Sequence, residues 1–100
     1  MVAPKRKWEQ GLDRAIERAV DFHGHLGPFL VVGVRMGIVG LKHLKMKQGD
    51  TLLRATAFVK PSVPFSCVID GIQVTTKCTI GNGKLKLKKS PETISAAFEI

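Results

Sequence analysis

Gly33, Gly37 and Gly40 stand at spacings of four and three within an otherwise largely aliphatic stretch from Pro28 to Lys45. At 3.6 residues per turn this puts all three on one side of an α-helix. Each glycine costs a helix up to about 1 kcal/mol relative to alanine. The cost has to be offset by something only a missing side chain permits, which is the close approach of another backbone. The spacing therefore predicts tight packing of this helix against a first helix or a sheet, with a glycine-lined subunit interface as the second reading. In a bilayer the same spacing would mark helix dimerisation. The longest stretch without a formally charged side chain runs only from Phe22 to Val34, and His23, Gly24, His25, Gly27 and Pro28 interrupt it. That falls short of the roughly 20 apolar residues a membrane span needs.

The flanking pattern supplies the other elements. Trp8, Leu12, Ala15, Ile16, Ala19 and Val20 recur at helical spacing opposite Glu9, Asp13, Arg14, Glu17 and Arg18, which predicts an amphipathic helix from about Lys5 to Asp21. It should stop at His23-Gly24-His25-Leu26-Gly27, where the glycines can take left-handed dihedrals and Pro28 is pre-set to open the next helix. Leu52 to Val59 alternates as a strand, with Leu53, Ala55, Ala57 and Val59 on one side, and Pro61 and Pro64 end it. Ser66 to Cys78 returns to helical spacing with Ser66 as candidate N-cap, and Gly81-Asn82-Gly83 is a turn. Leu85 and Leu87, then Ile94, Ala96, Phe98 and Ile100, alternate as two strands, expected to form an antiparallel hairpin through Ser90-Pro91. The order defines an α+β fold: two N-terminal helices, then strand-helix-strand-strand, with helices packed on a small, mostly antiparallel sheet. Residues 1–100 are expected to form a single domain, with no repeat or linker.

A hydrophobic fraction of 44% with 24% charged residues excludes a disordered chain. Sixteen Lys and Arg against eight Asp and Glu leave a formal charge of +8, which raises a nucleic-acid reading. The basic residues are spread along the chain, however, as on the lysine-rich surfaces of thermophile proteins. Only Lys84, Lys86, Lys88 and Lys89 cluster, and Lys84, Lys86 and Lys88 would carry that alternative function. One Trp, five Phe and no Tyr leave few residues for stacking on bases. The basic start from Met1 to Lys7 runs into a charged amphipathic segment and not an apolar block, so neither secretion nor membrane insertion is expected. Two cysteines are too few for a disulfide framework, and the expected compartment is the cytoplasm.

Reactive groups concentrate in two places. His23 and His25 sit two apart in the turn between helices, a spacing shared by metal-binding pairs and by ordinary capping or surface histidines. Cys67 falls in the first turn of a helix, where orphan N–H groups and the helix dipole favour negative charge. Thiolate and imidazole form the donor set zinc prefers. Asp70 and Gln73 follow Cys67 at spacings of three and six, so the three can face a common region. The carboxylate could be a further ligand or could fix a histidine tautomer. The plain alternatives are a first-turn carboxylate and a small buried thiol; a third reading makes Cys67 a nucleophile with a histidine as base. On one continuous helix Cys67 and Cys78 would lie roughly 16 Å apart, too far to share a disulfide or a metal ion within one chain.

Phe22-His23-Gly24-His25-Leu26-Gly27-Pro28 with Gly33 and Gly37 downstream, Cys67-Val68-Ile69-Asp70-Gly71-Ile72-Gln73, and Lys77-Cys78-Thr79-Ile80-Gly81-Asn82-Gly83-Lys84-Leu85 resemble the FmdE domain, named for formylmethanofuran dehydrogenase. The resemblance implies an α+β domain that forms homodimers and binds a divalent metal, usually zinc. It also implies association with the molybdenum or tungsten enzyme that interconverts carbon dioxide and formylmethanofuran in methanogenic archaea. By position it makes His23, His25, Cys67 and Cys78 the metal candidates, with Asp70 and Gln73 in the pocket, and it assigns no catalytic residue. Many members have cysteine where Gly27 stands, followed by Pro-Gly where this chain has Pro28-Phe29, and glycine where it has Lys77. Longer members also carry a cysteine-rich zinc-ribbon tail, which is not expected in a domain of 100 residues. The expectation is a small accessory or redox-linked metal-binding subunit that does not turn over substrate alone.

Overall fold

The first helix, α1 (Lys7–His23), buries Ala15 and Ala19 and ends where Gly24, at φ 107°, returns its N–H to the Val20 carbonyl at 2.7 Å. The computed structural model describes residues 7–100, so the expected start at Lys5 lies outside the described residues, as does the side chain of Trp8. The helix runs two residues past the expected stop at Asp21, which brings His23 into its last turn. Helix α2 (Pro28–Leu44) opens on its proline and closes with Lys45 in the left-handed region, whose N–H reaches the Lys42 carbonyl while that of Met46 reaches Leu41.

Strand β1 (Arg54–Val59) leads through a loop to α3 (Cys67–Thr76), followed by β2 (Leu85–Lys89) and β3 (Ser95–Glu99). Helix α3 stops two residues short of Cys78 because Lys77 turns left-handed, at φ 61°, and donates its N–H to the Gln73 carbonyl. Ser66 holds the N-cap position in α-helical dihedrals and its hydroxyl caps nothing. The start of α3 is organised instead by a tight turn, in which the Cys67 N–H reaches the Pro64 carbonyl and that of Ile69 reaches Ser66.

The sheet corrects the expected hairpin. Its order is β2-β1-β3, β1 pairing with β2 in parallel and with β3 antiparallel, so the last two strands flank β1 and never meet. Strand β1 carries the deepest alternation, with Ala55, Ala57 and Val59 buried, and takes the centre because only there does its apolar side gain neighbours on both edges. A parallel neighbour requires a crossover, and α3 provides it. At the far end the Ser90 N–H still reaches the Val59 carbonyl before the chain passes to the other edge.

Helix packing follows the glycines. A Cβ on Gly33 would overlap the Val68 backbone, one on Gly37 would overlap Thr75, and one on Gly40 would meet the Phe98 ring. From the opposite side, a Cβ on Gly71 would lie 2.5 Å from Val34 N and 2.6 Å from the Leu30 carbonyl oxygen. Helices α2 and α3 thus interlock glycine against backbone. The expectation of tight intrachain packing holds for the sheet, where Gly40 meets Phe98 of β3, but the helix that Gly33 and Gly37 meet is α3 and not the first helix. One buried cluster, including Leu53, Ala55, Ala57, Val68, Ile72 and Leu85, joins α3 to the sheet; another, Ala15, Ala19, Leu30 and Val34, joins α1 to α2. No helix among the described residues is long and apolar enough to cross a membrane.

Candidate functional site

The interlocked helices bring the C-terminus of α1 beside the first turn of α3. There the Nδ1 of His23 lies 2.6 Å from the Oδ2 of Asp70, across 47 residues of sequence. The other carboxylate oxygen accepts a hydrogen bond from Gln73 Nε2 at 3.2 Å, and Gln73 Oε1 in turn accepts the Ile80 N–H at 3.1 Å. The spacing of three between Asp70 and Gln73 makes them neighbours on the helix surface. The carboxylate is therefore held at both oxygens, and its position in the first turn of α3 suits its charge.

This arrangement fixes the imidazole. With Asp70 accepting at Nδ1, the neutral ring carries its proton there and presents a lone pair at Nε2. That Nε2 is buried and has no hydrogen-bond partner. Buried polar atoms are rarely left unmatched. The His25 ring lies with its centroid 4.6 Å from that of His23, tilted by 40°, and Gly27 is beside it: a Cβ there would be 3.7 Å from His25 Nε2, an ordinary contact.

The two cysteines part company. Cys67 is the first residue of α3, buried, one turn before Asp70. Cys78 lies beyond the other end of α3 in the sheet-facing core, its thiol 3.6 Å from the Leu53 carbonyl and its N–H bonded to Thr76 Oγ1. His23, His25, Asp70 and Gln73 form one continuous constellation. Among the described residues no three His, Cys, Asp or Glu side chains stand together as a complete metal-ligand group. Lys86 and Lys88 pair in register with Thr56 and Phe58 on the side of the sheet away from α3, and Lys84 reaches back to the Asp50 carbonyl at 3.5 Å.

Sequence reasoning saw a turn at Gly81-Asn82-Gly83 but missed that Asn82 builds it. Its Oδ1 accepts from the Thr79 and Lys84 N–H groups and its Nδ2 donates to the Lys77 carbonyl at 2.7 Å. An asparagine between two glycines was the available signal. Arg18 and Lys77, which border a cleft near Gln73, carried no signal distinguishing them from other surface cations.

Fold and constellation define a small α+β domain in which a His-x-His turn is anchored by a carboxylate from a crossover helix. The FmdE family, described as "FmdE, Molybdenum formylmethanofuran dehydrogenase operon", matches residues 22–96, beginning one residue before His23, and the chain belongs to that family. A protein of Archaeoglobus fulgidus named "Probable S-adenosyl-L-methionine-binding protein" is 37% identical over 75 residues, covering 74% of this chain. The matched stretch is 20% of that relative's length.

Proposed function

We propose that this chain is a metal-holding domain that serves an enzyme complex as an accessory or redox-linked subunit and is not a catalyst alone. One observation carries the reading: the Nε2 of His23 is buried, unmatched and left with its lone pair by the Asp70 bond on the other side of the ring. Carboxylate–imidazole pairs orient metal-binding histidines in this way, setting tautomer and ring direction and raising donor strength. His23 and His25 would hold the ion; Cys67, one turn before Asp70 on α3, is the thiol candidate of this chain, and it would have to move toward the histidines to serve as a third donor. Cys78 is the weaker candidate, since its thiol already sits in the core against the Leu53 carbonyl.

The donor chemistry suits a divalent ion, zinc first. Such an ion, held by the histidines, would supply a positive charge beside the Asp70 carboxylate and could polarise a bound oxygen ligand. The chain's own residues do the positioning: Asp70 holds the ring of His23, and Gln73 holds Asp70 against the Ile80 backbone. A homodimer is part of the proposal, with a second copy supplying the remaining donor. The exposed apolar residues Val32 and Val39 on α2 support such an association. The family's description, which names a molybdenum formylmethanofuran dehydrogenase operon, supports a molybdenum enzyme as partner; a tungsten enzyme in its place and the cytoplasm as compartment are further parts of the proposal. The relative's name adds S-adenosyl-L-methionine as a ligand to assay alongside.

The test is metal content after metal-free purification and reconstitution with Zn²⁺. About one equivalent per chain is expected for the natural sequence and little for a His25→Ala, Cys67→Ala double variant that retains its circular dichroism spectrum. Equal, negligible content in both would overturn the reading.

A further inference from the structure

Gln73, whose amide nitrogen holds Asp70, also lines a polar cleft of about 480 Å³. Arg18 and Phe22, one turn apart on α1, form one wall, and Lys77, Thr79 and Asn82 face them from beyond α3. The amides of Gln73 and Asn82 are committed to the frame. The donors left to a ligand are the Arg18 guanidinium, the Lys77 ammonium and the Thr79 hydroxyl, which accepts a bond from Asn82 N–H but keeps its own proton free, while Gln48 spends its amide nitrogen on the Val74 and Thr75 carbonyls. Among the described residues no Asp or Glu lines the cleft and no carboxylate pairs with either cation.

The cleft continues into a larger groove. Arg18, Gln48 and Val74 border both it and a cavity of about 660 Å³ between α1 and α2. Leu12, Ala15, Ile38 and Leu41 give that groove an apolar floor, and again no carboxylate among the described residues lines it. Together they make one trough with an apolar floor along α1 and α2, bordered there by Arg35, Lys42 and Lys45 and cationic again, through Arg18 and Lys77, at the end that touches Gln73. A few convergent polar groups beside an extended apolar surface are the usual composition of a small-molecule site.

We propose that this trough binds an amphiphilic organic anion. The head is a carboxylate or phosphate monoester held between Arg18 and Lys77 with the Thr79 hydroxyl donating, and an unbranched apolar tail lies over Leu12, Ile38 and Leu41. The inference does not rest on the metal reading, because none of these residues is a proposed ligand, and its test uses metal-free protein.

The experiment titrates the full chain with decanoate and with decyl phosphate, each below its micelle concentration, following backbone amide shifts and heat. Acetate and inorganic phosphate report the head alone, and decyltrimethylammonium reports the tail under the opposite charge. Saturable binding of at least one decyl anion is expected, with shifts centred on Arg18, Phe22, Lys77 and Thr79; whichever anion binds tighter identifies the head. Each methylene added between hexanoate and decanoate should tighten binding about twofold to fourfold. An Arg18→Gln, Lys77→Gln variant, altered only at exposed positions, should keep its amide spectrum elsewhere and bind at least tenfold more weakly. Absence of saturable binding, equal binding of decyltrimethylammonium, or undiminished binding by the double variant would each overturn the proposal.

Discussion

Gly71→Ala tests whether backbone contact between α2 and α3 holds the molecule together. Helix propensity alone favours the change, by up to about 1 kcal/mol. Against it stands the contact geometry: the new methyl would lie 2.5 Å from Val34 N and 2.6 Å from Gly33 C and the Leu30 carbonyl oxygen, all backbone atoms. Ordinary contact begins at 3.4 Å, so α2 and α3 must part by roughly 0.9 Å with no side-chain rotamer able to absorb it. Overpacking of this kind costs roughly 1–3 kcal/mol, occasionally more, and a backbone-to-backbone clash belongs at the upper end. We expect a net loss of about 2 kcal/mol after the propensity gain. In a domain of this size that lowers Tm by about 8–16 °C. Thermal denaturation followed by circular dichroism measures it. Gly11→Ala is the control: Gly11 also lies within a helix, but nothing stands within 4 Å of its Cβ position, so alanine should stabilise by about 0.5–1 kcal/mol. If Gly71→Ala matched or exceeded the parent Tm while Gly11→Ala behaved as stated, the interlock would not be what sets the helix spacing.

Three further outcomes follow from the site and its frame. Gly27→Cys sets a thiol beside the His-x-His turn; the Cβ lies 3.7 Å from His25 Nε2 and Gly27 is already extended at φ −150°, so the variant should fold normally and bind Zn²⁺ more tightly in a chelator competition, unchanged affinity counting against His25 as a ligand. Asp70→Asn keeps the shape but loses the charge that fixes the His23 tautomer, and should weaken metal binding by about 10- to 100-fold with the fold retained; parent-like affinity would remove Asp70 from that role. Thr76→Val deletes a hydroxyl that donates to the Ile72 carbonyl at 2.7 Å and accepts the Cys78 N–H at 3.0 Å, stranding a buried donor. The expected cost is about 1–3 kcal/mol in urea unfolding, and a neutral result would show that water reaches the Cys78 amide.

The three helices and three strands of the described residues were legible in the sequence, because periodicity and turn chemistry are local. Ala15 and Ala19, or Ala55, Ala57 and Val59, declare a buried face whatever lies opposite. The helix ends were less so. Lys45 and Lys77 take left-handed dihedrals usually given to glycine, and nothing in a lysine announces that. At the candidate site, His23 and Asp70 were singled out by type and spacing, yet that the two meet, at 2.6 Å, was visible only in the structure.

By itself the sequence determined which segments are helical or extended, that the Gly33–Gly37–Gly40 stripe must meet something close, and where imidazoles and thiols are concentrated. The tertiary structure alone decided what they meet. It put β1 between β2 and β3 in place of a terminal hairpin, set Gly71 against the backbone of α2, joined His23 to Asp70, and sent Cys78 into the core. The physical reason is range. Dihedral preference and amphipathic period act over a few residues, whereas strand partners and a hydrogen bond spanning 47 residues are chosen by which packing buries the most apolar surface without leaving polar groups unmatched.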